Sequence, residues 1–170
     1  MKVIFLDFDG VLNSSCYAAR LIKAGKPTQD ENGHELFDPA TIKRFNHIVD
    51  QTEVKIVISS SWRYLGLTAI RDLWKERGLH GQIIGMTSMH AVDEYIIEHG
   101  LDWLDNGAIA ASPRAVEIEA WLQEHENIDR YVILDDILMS AALQQHFVHV
   151  NPIVGLSDEQ AAKAIEILNN

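Results

Sequence analysis

The stretch that decides this chain is its opening, Met1 to Asn13, MKVIFLDFDGVLN. Val3 to Leu6 is an unbroken apolar run, the pattern of a strand buried on both faces of a parallel sheet. It meets two aspartates, Asp7 and Asp9, and then Gly10, where the backbone can turn sharply. Two positions apart in extended chain, the two side chains point the same way. A pair of carboxylates a few ångströms apart repels by roughly 4 kcal/mol at an effective dielectric of about 20. Such a pair calls for a cation or a shared proton; the plain alternative is a strand that ends in an acidic turn.

Further along, apolar runs and helical patterns alternate. Val54 to Ile58 is apolar apart from Lys55 and runs into Ser59-Ser60-Ser61-Trp62-Arg63. Gln82 to Met86, Tyr131 to Leu134 and Phe147 to Val150 are the other predicted strands, and Tyr131 to Leu134 leads into Asp135-Asp136. Between them lie predicted helices over Ser14 to Ala24, from Asp38-Pro39 onward, over Leu67 to Glu76 with Gly78 just past its end, and over Arg114 to His125. A capping box at Ser157 to Gln160 opens a last helix over Ala161 to Leu168. Gly25 to Glu35 reads as a polar loop or small hairpin. Within Thr87 to Pro113, only a helix over Ala91 to His99 and a turn at Asp105-Asn106-Gly107 are assigned. Strands alternating with helices at this spacing predict an α/β fold, a doubly wound, Rossmann-like parallel sheet with right-handed crossovers.

Composition is consistent with one globular domain over residues 1–170, 47% hydrophobic and 23% charged. No apolar stretch approaches the ~20 residues of a membrane span, and the opening run, broken by Asp7 and Asp9, is not a signal peptide. A single cysteine, Cys16, allows neither an intrachain disulfide nor a cysteine-based zinc site, so a cytoplasmic location is the expectation. A net charge of −11 argues against non-specific binding along a nucleic-acid backbone but leaves room for a site that takes one phosphate end. No obligate protein partner is evident.

Ligands of open α/β sheets sit outside the carboxyl ends of the strands. With strand one central, Asp7 and Asp9, Ser59 to Ser61, and Asp135 and Asp136 share one crevice. Four carboxylates there require a metal, and an all-oxygen acidic site suits Mg²⁺. The chemistry this suggests is attack of an aspartate on phosphorus, with a second acid serving the leaving group and then the water.

The set Asp7-Phe8-Asp9-Gly10-Val11-Leu12-Asn13, Ser59, Arg114 and Asp135-Asp136 resembles the four motifs of the haloacid dehalogenase (HAD) superfamily. Within it, ISSSWR, the pattern R-x-x-E-I-x-x-W-L at Arg114 to Leu122, ILDD and Val154-Gly155-Leu156-Ser157 are similar to a subgroup found in RNA-repair-type proteins. The resemblance implies that Asp7 is nucleophile and metal ligand. It makes Asp9 the general acid/base, with its backbone carbonyl facing the metal. Ser59 would hold the phosphoryl group, or Ser60 if the strand ends one residue later. Asp135 and Asp136 would hold Mg²⁺. Arg114 stands where most of the superfamily has lysine, which keeps the charge and adds a bidentate fork; Lys55 and Arg63 are other cations near strand ends. Arg63 either binds substrate or pairs with a neighbouring carboxylate, and Asn13 either hydrogen-bonds in the site or shapes the turn. Trp62 is expected to pack, and Glu117 to serve helix packing and salt bridging.

The function these residues imply is a magnesium-dependent phosphomonoesterase working through an aspartyl-phosphate. Members that act on carbon–halogen bonds lack an acid at the position of Asp9. The intervals between strands leave room for at most small caps, so an open site is expected. By resemblance, a phosphorylated nucleic-acid end leads as substrate. A small phosphorylated metabolite or nucleotide is the alternative if the Gly25 to Glu35 loop closes over the site. From another class come a catalytically idle binding module and a phosphoacceptor receiver. The receiver needs an aspartate at the end of strand three, where this chain has Gly85-Met86-Thr87.

Overall fold

A computed structural model describes residues 1–99 and 112–170; the Asp105-Asn106-Gly107 turn falls outside them. Five strands, β1 (Lys2–Leu6), β2 (Lys55–Ile58), β3 (Gln82–Met86), β4 (Arg130–Asp135) and β5 (Phe147–His149), form one sheet in the order β3-β2-β1-β4-β5. Every pairing is parallel. The opening strand therefore lies at the centre, with Phe5 opposite Val57 on one side and Ile133 on the other.

Alternation along β1 makes two cores. Ile4 and Leu6 face a cluster with Phe45 and Ile48 of α2 (Pro39–Thr52), Leu73 and Trp74 of α3 (Leu67–Glu76) and Leu168 of α6 (Asp158–Asn169). Val3 and Phe5 face the other way, onto Ala115, Ile118 and Trp121 of α5 (Pro113–Glu124). All four β1 side chains are fully buried, each worth about 1.5–3 kcal/mol in apolar burial. The remaining helices, α1 (Ser15–Lys23) and α4 (Ala91–His99), follow β1 and β3. Among the described residues no helix is long and apolar enough to cross a membrane.

Local chemistry explains the helix starts. The Asp38 carboxylate accepts from the Ala40 amide at 2.9 Å with Pro39 in the first turn, and the Ser112 hydroxyl accepts from Ala115 at 3.3 Å ahead of α5. At Ser157 and Gln160 both bonds of the capping box form, 3.2 and 2.8 Å long. The segment 25–35 is a small hairpin closed by a Gln29–Glu35 bridge, its turn built by Asp30 accepting from the Asn32 and His34 amides.

The ladder continues one step beyond the strands. Asp7 donates its amide to Leu134 at 3.0 Å, Ser59 to Leu6 at 2.9 Å and Thr87 to Ile58 at 3.0 Å. Asp7, Ser59 and Thr87 thus stand at one level on the carboxyl edge of the sheet, beside the end of β4.

Candidate active site

The carboxylates of Asp7, Asp135 and Asp136 converge, with one oxygen of each within 4.8 Å of the others. Asp7 and Asp135 are buried, Asp136 half-buried. The first turn of α5 delivers the opposing charge. Arg114 Nη1 lies 3.2 Å from Asp135 Oδ2 and 3.6 Å from Asp7 Oδ1. The Phe8 amide donates to Asp7 Oδ1 at 2.7 Å, and the Ile137 amide to Asp135 Oδ1 at 2.9 Å.

Three carboxylates facing one guanidinium are under-compensated. Burial pushes the Asp7 carboxyl up, opposed by Arg114, the Ser60 hydroxyl and the Phe8 amide. Burial, then the charge of Asp7, pushes Asp135 up to about 7 against the pull of Arg114. Asp136 is raised as well, mainly by burial. An all-oxygen, acid-rich cluster of this kind fits a hard divalent cation such as Mg²⁺.

The sign of the resulting pH dependence follows. Between the ordinary value of 3.8 and about 7, folded Asp135 holds more proton than the unfolded chain does. Stability of the chelated protein therefore falls as pH rises through that window, and Asp7 and Asp136 act in the same direction. Calorimetry in chelator is expected to give a melting temperature several degrees higher at pH 5 than at pH 8, with excess Mg²⁺ raising the value at pH 8. A chelated protein that melts higher at pH 8 than at pH 5 contradicts the placement of these acids.

Gly10 lets the loop after β1 close against the cluster. Its φ is +72°, and a Cβ there would lie 2.6 Å from Asp136 Oδ2 and 2.8 Å from Pro152 Cβ. Gly10→Ala is expected to lose about 2 kcal/mol or more in urea denaturation. It is also expected to weaken Mg²⁺ binding by displacing Asp136; unchanged stability and affinity would place the loop differently.

Asp9 departs from the reading based on extended chain. Its carboxylate is not part of the convergent group; the chain leaves the strand after Leu6 and turns at Gly10, so the two side chains diverge. Repulsion from Asp9 is the smallest of the causes acting on Asp7. The Asp9 side chain accepts from the Trp62 indole at 3.0 Å on both oxygens, from Asn13 Nδ2 at 2.8 Å and from Ser61 Oγ at 3.3 Å. The metal contact that the resemblance implied for Asp9 runs through its backbone carbonyl, so the place of its carboxylate outside the convergent group does not bear on it.

Asn13 does both things foreseen for it, taking the Gly10 amide at 2.8 Å while donating to Asp9. Its side chain is buried. Arg63 takes up one of its two expected roles, pairing with a neighbouring carboxylate. It is 6% exposed and fully engaged, donating to the Ser60 carbonyl, to the Thr87 carbonyl and hydroxyl, and pairing with Glu117 at 2.9 Å. Glu117 also lies 3.7 Å from Arg114 Nε, so it ties the buried arginine to the one in the site. Of the two serines, Ser60 has its hydroxyl beside Asp7. The Ser59 hydroxyl is buried with no hydrogen-bond partner among the described residues. Trp62, Glu117 and Thr87 had not been read as serving the site. Only Glu117 carried a local signal, its i,i+3 spacing from Arg114 on a helix.

A model of the family described as the HAD domain in Swiss Army Knife RNA repair proteins matches residues 3–161. No curated protein and no solved structure gives a significant match.

Proposed function

The chain belongs to the family of HAD domains in Swiss Army Knife RNA repair proteins, and on that basis we propose that it is a magnesium-dependent phosphatase acting through an aspartyl-phosphate. The observation that carries the proposal is the convergence of Asp7, Asp135 and Asp136 beside Arg114 at the carboxyl edge of the sheet. Asp7, Asp135 and Asp136 would hold Mg²⁺, which when bound offsets the charge on the phosphoryl oxygens.

The chain's own residues divide the rest of the work. A carboxylate oxygen of Asp7 attacks phosphorus and the bond to the leaving oxygen breaks, while Asp9 gives that oxygen a proton. In the second half, Asp9 takes a proton from water as the water oxygen attacks phosphorus and the bond to Asp7 breaks. Arg114, within 4 Å of Asp7 and Asp135, pairs with the phosphoryl oxygens in the lysine's stead. Ser60, and Ser59 with its unpartnered hydroxyl, are the hydroxyl donors toward the same group.

For substrate we favour a phosphorylated nucleic-acid end, supported by the family's description. At a net charge of −11, recognition rests on the terminal phosphate and not on neutralising a backbone. The test is phosphate release from 5′- and 3′-phosphorylated oligonucleotides, mononucleotides, sugar phosphates and phosphopeptides, with Mg²⁺ and with chelator. Expected is Mg²⁺-dependent release with a preference for oligonucleotide ends. Equal rates across the panel overturn the end specificity, and absence of Mg²⁺-dependent release from every substrate overturns the phosphatase.

A further inference from the structure

We infer that Trp62 is a positioning residue for Asp9, held in place by the hairpin between α1 and α2; this rests on the phosphatase reading. Trp62 lies in the helical turn Ser61–Leu65 after β2 and is 7% exposed, yet its indole N–H, a donor only, is not placed for packing alone. It lies 3.0 Å from each oxygen of the Asp9 carboxylate. Among the described residues no other contact reaches both oxygens, since Asn13 meets Oδ1 and Ser61 meets Oδ2. The indole thereby fixes the plane of the carboxylate as well as its position.

The ring is itself clamped. Phe8 meets it edge-on at 5.6 Å, and Phe37 and His34 lie 5.5 and 5.6 Å away. Arg77, from the end of α3, lies 4.4 Å over the Phe37 ring and 5.9 Å from the Trp62 ring. Its guanidinium pairs with Asp30 at 2.7 Å and donates to the Glu35 carbonyl, which fastens the hairpin. From the hairpin, Glu35 accepts from Asn13 at 3.1 Å, closing a circuit back to Asp9. The 25–35 hairpin thus buttresses the acid/base from the side.

Such a role has a kinetic signature that loss of packing lacks. Asp9 serves two proton transfers: donation to the leaving oxygen, and acceptance from the attacking water. A nitrophenolate leaves without a proton, so with 4-nitrophenyl phosphate only the second transfer depends on Asp9; an alkyl phosphate depends on both. Trp62→Phe keeps an aromatic ring and removes the N–H. With Mg²⁺ present, it is expected to lower turnover of a primary alkyl phosphate about 10- to 100-fold. On 4-nitrophenyl phosphate it should give a burst of one nitrophenolate per site followed by a slow steady state, with acid-stable phosphoenzyme trapped by rapid quench. Asn13→Ala, which removes a donor from the other side, should show a smaller version of the same burst.

Phe37→Leu provides the comparison, because it touches the same ring and gives Asp9 no hydrogen bond. It loosens the clamp but leaves the indole N–H in place, so it is expected to lower the melting temperature and to give a burst weaker than that of Trp62→Phe. If Trp62→Phe behaves as wild type, or loses both esters equally with no burst, the positioning role is overturned while the phosphatase stands. If wild type itself hydrolyses neither ester, the phosphatase reading falls and takes this inference with it.

Discussion

Asparagine in place of Asp7 is expected to leave the protein folded and to lower phosphate release by at least about three orders of magnitude. The amide has the carboxylate's shape but offers no anionic oxygen to phosphorus, and two other acids of the site, Asp135 and Asp9, are engaged elsewhere. Asp135 keeps its Arg114 and Ile137 contacts, and the Asp9 carboxylate is held toward Trp62 and Asn13. A second consequence separates this substitution from simple damage. The negative charge of Asp7 is one cause of the raised Asp135 carboxyl. Its removal should therefore stabilise the metal-free protein at pH 8 while weakening Mg²⁺ binding. Rates on an aryl phosphate, calorimetric melting in chelator and Mg²⁺ titration measure all three effects. Full turnover by Asp7→Asn would end the aspartyl-phosphate mechanism.

Arg63→Ala is expected to cost about 3–5 kcal/mol in stability, a drop in melting temperature on the order of 10 °C for a chain of this size. The substitution strips buried partners from the Ser60 carbonyl and from Thr87, and leaves Glu117 with a carboxylate that is 10% exposed and has only a 3.7 Å contact to Arg114. That residual charge is the larger part of the loss. Adding Glu117→Gln to Arg63→Ala should accordingly recover some stability, a non-additivity that a denaturant double-mutant cycle reads directly. Arg63→Ala that leaves stability untouched and raises KM would return Arg63 to the role of substrate contact.

These two residues show where sequence reading succeeds and where it stops. The Asp7 position follows from local signals: an apolar run of strand length, a carboxylate at its end and a turn glycine. The strands and helices were readable for the same reason, since burial on both faces writes continuous apolar runs and two helix starts carry their own caps at Asp38 and Ser157. The centrality of β1 was likewise accessible from the order of the motifs. A carboxylate partner was one of the two roles open to Arg63, but its identity was not readable, because another crossover brings Glu117 within 2.9 Å. Nor was the divergence of Asp9 from Asp7. Side-chain alternation holds only while the chain stays extended, and the last residue of β1 is Leu6. The choice between Ser59 and Ser60 turned on where β2 ends, a boundary that apolarity marks only to within a residue or two.

The central place of β1 also bears on how the molecule comes into being. The strand that leads to Asp7 is made before both of its neighbours, β2 and β4, with Lys2 opposite Arg130. A nascent chain emerges from its N-terminus onward, so β1 stays half-paired until β4 has followed it out. Through that interval its uncovered edge is apolar from Val3 to Leu6, a surface that invites misassociation. Contacts so distant in sequence also slow closure of the sheet. The acidic cluster is completed in the same event, since Arg114, Asp135 and Asp136 arrive with α5 and β4. A truncated product lacking β4 has neither β1 paired on both edges nor the acidic cluster assembled, so the two are reached at one step of synthesis.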